Sequence, residues 1–136
     1  MDAALLDTDI LNEVLKQKNS VVVGHAARYL GQYGQFAISS ITRYEILRGL
    51  KEKCATSQLV RFEDFCRNTK ILPVSDEVLD RTSDLWVAGR KQGLAPMDAD
   101  LIIAATALIH DRTLITGNTS HFAWIPGLKI VNWRNP

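Results

Sequence analysis

The feature that most limits how this chain can fold is an alternation, repeated along its length, of short apolar runs with longer segments whose apolar residues recur at helical spacing. Residues 3–6 are apolar and end at Asp7, and from Ile10 to Leu15 the spacing turns helical. A second helix is expected over residues 21–31, a buried strand over 36–39 (FAIS), and a helix capped by Ser40 or Thr42 running through Lys53. There follow a helix over 57–68, a strand over 71–74 (ILPV), and a helix opened by Ser75 or Asp76 and closed by Gly93. Asp98 opens a strongly apolar helix reaching about His110, and the strands TLIT (113–116) and KIVNW (129–133) complete the pattern. Strands separated by helices require a sheet whose neighbours run parallel, with helices on both faces. The expectation is an α/β domain of three layers with a central, mostly parallel sheet of four to five strands.

In such open sheets the right-handed crossovers place the loops leaving the C-terminal strand ends on one edge, and ligands bind there. Asp7 and Asn118 directly follow strands, Glu45 lies on a helix entered from a strand, and Asp98 and Asp100 begin a helix. Burying a carboxylate at a strand end costs several kcal/mol unless a cation or several hydrogen bonds offset it. For Asp7 metal ligation is therefore the preferred explanation, whereas Asp9 is expected to cap the helix that follows, a role worth about 1 kcal/mol. Glu45 shares a helical stripe with Ile41 and Gly49, which favours a sheltered carboxylate, although an ion pair with Arg48 or Lys51 is, taken alone, the commoner explanation of a helical glutamate. Of the two acids opening DADLIIAATALI (98–109), Asp98 is assigned to the helix cap or an accessory ligand role and Asp100 to the site. The segment 117–120 reads as a turn, and the three histidines lack paired ligand spacing.

With 136 residues, and without repeats, low-complexity tracts or a linker, the chain is expected to form one domain over 1–136. No apolar stretch is long enough for a membrane span, and the acid-bearing start MDAALLDTDILNEVL is not an export signal. Two cysteines without CxxC spacing suit reduced thiols, and the expectation is a cytoplasmic protein. A net charge of +1 gives no sign of the uniformly basic surface of proteins that hold nucleic acid by charge alone. Seven basic residues against four acids between Arg43 and Lys70 are candidates for weak phosphate contacts, Arg43 and Arg48 in particular. A solvated helical face is the plainer explanation of that tract.

These motifs resemble the PIN-domain family, specifically its VapC-type toxins from toxin-antitoxin pairs. LLDTDIL (5–11) resembles the segment with the first catalytic aspartate, ITRYEILRGL (41–50) the segment with the glutamate, and DADLIIAATAL (98–108) the segment carrying the third acid. TGNTSHF (116–122) resembles the fourth motif, with Asn118 where the family often has aspartate and Thr116 at a hydroxyl position that supports the site. The resemblance implies a PIN-like fold and a Mg2+- or Mn2+-dependent endoribonuclease acting on single-stranded loops of structured RNA, such as transfer or ribosomal RNA. Asp7, Glu45 and Asp100 would hold the metal, with Asp98, Asn118 and Thr116 as accessories. It also implies a homodimer and a cognate VapB-type antitoxin occupying the active-site groove. Two alternatives stand beside it: an RNA-binding PIN module without hydrolysis, suggested by Asn118, and a haloacid-dehalogenase-like phosphatase, whose DxDx(T/V) opening Asp7-Thr8-Asp9 also fits. The phosphatase needs a further acidic pair after a strand, and no acid follows Asp111.

Overall fold

The computed structural model describes residues 1–136 and follows the expected alternation. In chain order the elements are β1 (Ala4–Leu6), α1 (Thr8–Lys16), α2 (Ser20–Tyr33), β2 (Ala37–Ser39), α3 (Ser40–Glu52) and α4 (Thr56–Arg67). They continue with β3 (Lys70–Leu72), α5 (Asp76–Lys91), α6 (Asp98–Ile109), β4 (Thr113–Ile115), α7 (Thr119–Phe122) and β5 (Ile130–Val131). Every pairing is parallel: β4 lies between β1 and β5, and β2 pairs with β3. β2 also packs beside β1, so the two ladders continue one another without backbone hydrogen bonds across the junction.

Consecutive strand residues enter different cores, as a period of two demands of a sheet covered on both faces. Ala4, Leu6, Ile38 and Ile115 pack with Ile10, Val22, Tyr29 and Phe62 on one side. Leu5, Ala37 and Leu114 pack with Val78, Leu101, Ala104 and Phe122 on the other. Each fully buried Leu or Ile is worth about 1.5–3 kcal/mol, which makes these two faces the main stabilising term. α6 sinks most of its circumference, as Ile103, Ala104, Ala105 and Ala107 are all buried; this is why DADLIIAATALI carries no polar stripe.

The differences from the sequence reading lie at the ends of elements. α2 continues past Gly31 to Tyr33 and stops at Gly34, whose φ of 80° supplies the left-handed turn that closes a helix. α3 is capped by Ser39, whose hydroxyl accepts from the Ile41 N–H, rather than by Ser40 or Thr42. β5 is two residues long instead of five, and segment 117–120 leads into a one-turn helix, α7, too short for any periodicity to announce. Asp98 does not cap α6: the cap position is Met97, no side chain closes it, and the Asp98 side chain faces solvent. Asp9 likewise lies two residues past the cap position, and the cap of α1 is Asp7.

Candidate active site

The parallel register sets Leu6 beside Ile115, so the residues that leave these two strands, Asp7 and Thr116, emerge side by side. The Asp7 N–H donates to the Ile115 carbonyl at 2.8 Å, one further rung of the ladder. One carboxylate oxygen of Asp7 accepts from the Thr8 N–H at 2.7 Å and the other from the Thr116 hydroxyl at 2.8 Å. The Thr116 hydroxyl in turn accepts from the Asn118 N–H at 3.0 Å, which fixes the direction of its own proton. Asp7 is only 4% exposed, and its carboxyl is pushed up to about 6. Burial is the main cause, the negative charges of Asp9 and Asp100 add to it, and the hydrogen bonds from Thr116 and Thr8 oppose it. None of the chain's ion pairs involves Asp7.

Glu45 comes to the same edge because α3 leaves β2, the strand packed beside β1. Its Oε1 accepts from the Thr8 hydroxyl at 2.9 Å, and Thr8 stands 3.2 Å from the hydroxyl of the buried Thr42. The ion pair to Arg48 expected as the plainer explanation also forms, but at 3.9 Å to a guanidinium in open solvent, where it contributes little. Asp100, in the first turn of α6, receives the His121 Nδ1 at 3.2 Å. Asp7 and Asp100 are near enough to feel one another's charge, while Asp7 and Glu45 are connected through Thr8 rather than by contact. No three acidic, histidine or cysteine side chains are already arranged around a common point.

The remaining residues sort by position. Asn118 is exposed at the start of α7 and takes part through its backbone. Asp98 is exposed at the rim. Arg48 lies over the Tyr44 ring, 5.1 Å from its centroid. Arg43 lies instead against Cys66 of α4, whose thiol burial pushes up and Arg43 partly restores. Reasoning from sequence missed Thr8, Thr42, His121 and the role of Asp9. Asp9 Oδ2 accepts from the Gly117 N–H at 2.9 Å and pairs with Arg134 at 3.3 Å. Gly117 makes this possible, since a Cβ there would overlap the Arg134 guanidinium. The only sequence hint for these groups was that hydroxyls and acids alternate in LLDTDIL and that a histidine follows the last strand-to-helix turn.

The donors at this edge are carboxylate, hydroxyl and amide oxygens, the hard ligands that magnesium and manganese prefer. A sheltered carboxyl with a raised pKa and no ion-pair partner of its own, with Asp100 and the Arg134-paired Asp9 nearby, fits a site that takes up a dication.

Parallel strands between helical layers, with acids at the strand exits, define an α/β protein with an acidic sheet edge. The chain belongs to the PIN domain family, whose model matches residues 4–126. Within that family it is 33% identical to Ribonuclease VapC1 of Methanocaldococcus jannaschii, over 93% of this chain and 85% of that one. It is 26% identical to the tRNA(fMet)-specific endonuclease VapC of Shigella flexneri, over 95% of this chain and 96% of that one. Among solved structures it is similar to VapBC2 of Rickettsia felis bound to a DNA fragment from their promoter, with a TM-score of 0.84, 25% identity, and coverage of 96% of this chain and 98% of that one. Membership in this family removes the phosphatase alternative. The geometry agrees, because Asp9, the acid that alternative needs, is tied to Arg134 and Gly117. No helix is long and apolar enough to cross a membrane.

Proposed function

We propose that the chain, folded as one PIN domain over residues 1–136, is the endoribonuclease toxin of a type II toxin-antitoxin pair, with Asp7, Glu45 and Asp100 holding Mg2+ or Mn2+. The observation that carries this reading is the Asp7 carboxyl, buried among negative charges without an ion-pair partner. The likeness to VapC ribonucleases supports it independently. When bound, the ion supplies positive charge that stabilises the transition state at phosphorus and makes water a competent nucleophile. The chain's own part is orientation. Thr116 and the Thr8 N–H fix the plane of the Asp7 carboxylate, the Thr8 hydroxyl aims Glu45, and His121 steadies Asp100. Asn118 and Asp98 at the rim and the buried Thr116 are the accessory residues, and Arg43 and Arg48 are weak candidates for RNA phosphate contacts. The substrate class is an unpaired loop of structured RNA such as transfer or ribosomal RNA, since accessible bases and a flexible backbone are needed for in-line attack.

The partner is a VapB-type antitoxin covering the active-site groove; the solved VapBC complexes of similar chains support this. A homodimer and residence in the cytoplasm complete the proposal. The test is induction in a bacterial host and cleavage of total RNA by the purified protein, with wild type beside Asp7→Asn and Asp100→Asn. Wild type arrests growth and cuts RNA only with added Mg2+ or Mn2+. Each variant loses activity by about a thousandfold, the scale of several kcal/mol of charge stabilisation. Cleavage by the variants at wild-type rates, or cleavage in excess chelator, overturns the reading.

A further inference from the structure

Beside Asp100 the surface opens into a cavity of about 300 Å3 between the segment joining α5 to α6 and the segment around α7. Its apolar wall includes Pro96, Met97, Trp124 and Ile125, and its polar rim is Asp100, Ser120 and His121. The Trp124 ring is held rather than loose. Its Nε1–H donates to the His121 carbonyl at 3.0 Å, and the bare Gly89 lets the indole and Pro96 close on α5, where a Cβ would stand 3.1 Å from each. His121 forms the partition between cavity and site: its Nδ1 meets Asp100 at 3.2 Å while half of the side chain stays open to solvent. Met97, 66% exposed, stands at the mouth.

We infer that this cavity receives an unpaired nucleobase of the RNA, adjacent to the phosphodiester that is cut. The inference rests on the ribonuclease reading above and extends it to the part of the substrate that is recognised. A mostly apolar slot beside an aromatic ring takes up a base by stacking and desolvation, with hydroxyl and imidazole groups at the rim to meet its edge. The Asp100 carboxylate at the same rim disfavours a phosphate or an acidic peptide in the slot. It also places the slot one neighbour away from the reacting phosphate. Specificity for a sequence then comes from this slot and not from the weakly basic surface.

The test uses unstructured oligoribonucleotides that differ only in carrying an abasic residue at one position in turn. Binding is read by fluorescence anisotropy in chelator, and cleavage separately with Mg2+. For wild type, removing the base at one position flanking the cut weakens binding about tenfold, as loss of a stacked base does. In Ala95→Trp, which fills the slot from its exposed lip, the same removal changes affinity less than about twofold. Met97→Ala, which trims a side chain that is 66% exposed and keeps the backbone, lowers the wild-type ratio to about threefold and serves if the larger side chain impairs folding. An equal base dependence in wild type and both variants overturns the assignment. So does a protein occupant, seen as Ala95→Trp retaining base-dependent RNA binding while losing its antitoxin. Base-dependent binding without metal-dependent cleavage sinks the ribonuclease reading and leaves the slot standing; cleavage with no base dependence does the reverse.

Discussion

Two buried polar groups stand at β1, one at each end, and they are treated in opposite ways. At the entrance, the Tyr29 hydroxyl accepts from the Ala4 N–H at 2.9 Å inside a cluster of rings in which Tyr29 packs against Phe36 and Trp133. A neutral group meets a neutral partner, and no charge is buried. At the exit, Asp7 sits at similar depth as a carboxylate whose proton is hard to remove and whose charged neighbours are acids. One end of the strand is settled by the fold alone, and the other keeps a carboxyl whose ionisation burial opposes.

The largest effect that sharpens this contrast is the pH dependence of stability. The Asp7 proton is bound more tightly in the folded chain, about 6, than at its ordinary 3.8, so the group's contribution to stability is full below pH 4 and falls as pH rises through 6. The difference is worth about 3 kcal/mol. Chemical denaturation of the metal-free protein between pH 4 and pH 7 should show a decline of that order that is absent from Asp7→Asn. Added Mg2+ should reverse it above pH 6, since ion uptake requires the ionised carboxylate. Identical pH profiles for wild type and Asp7→Asn would break the comparison.

Tyr29→Phe probes the other end. It leaves the Ala4 N–H buried without an acceptor, and should lower stability by about 2 kcal/mol at every pH while RNA cleavage per folded molecule is unchanged. The smallest effect is expected from Thr116→Val, which keeps shape but removes the hydroxyl that lowers the Asp7 pKa. It should cost about 1 kcal/mol at pH 7 and move the midpoint of the wild-type pH transition upward, read by the same denaturation series.

The contrast also explains what the sequence could and could not reveal. The short apolar runs ALL (4–6) and TLI (113–115), and the unbroken apolar face of α6, are local patterns, and from them the sheet, its layers and the acids at its edge could be read. Asp7 stood out because a carboxylate ending an apolar strand conflicts with its surroundings. Thr8 reaching Glu45, His121 reaching Asp100 and Arg134 reaching Asp9 leave no such trace. Each depends on which strands become neighbours and in what register, and each residue taken alone is an ordinary surface side chain. Tyr29 was hidden for the same reason, since only the packed core brings its hydroxyl to Ala4.

Trp133 is buried and stacks with His25, whose Nε2 lies 2.7 Å from the Asn135 carbonyl, so the final residues are fastened to the body of the protein with Arg134 between them. The chain thereby carries its own counterion to Asp9 at the acidic edge of the sheet. The missing side chain at Gly117 is what admits that guanidinium, so any side chain placed there would push Arg134 off Asp9 and leave that carboxylate without its counterion.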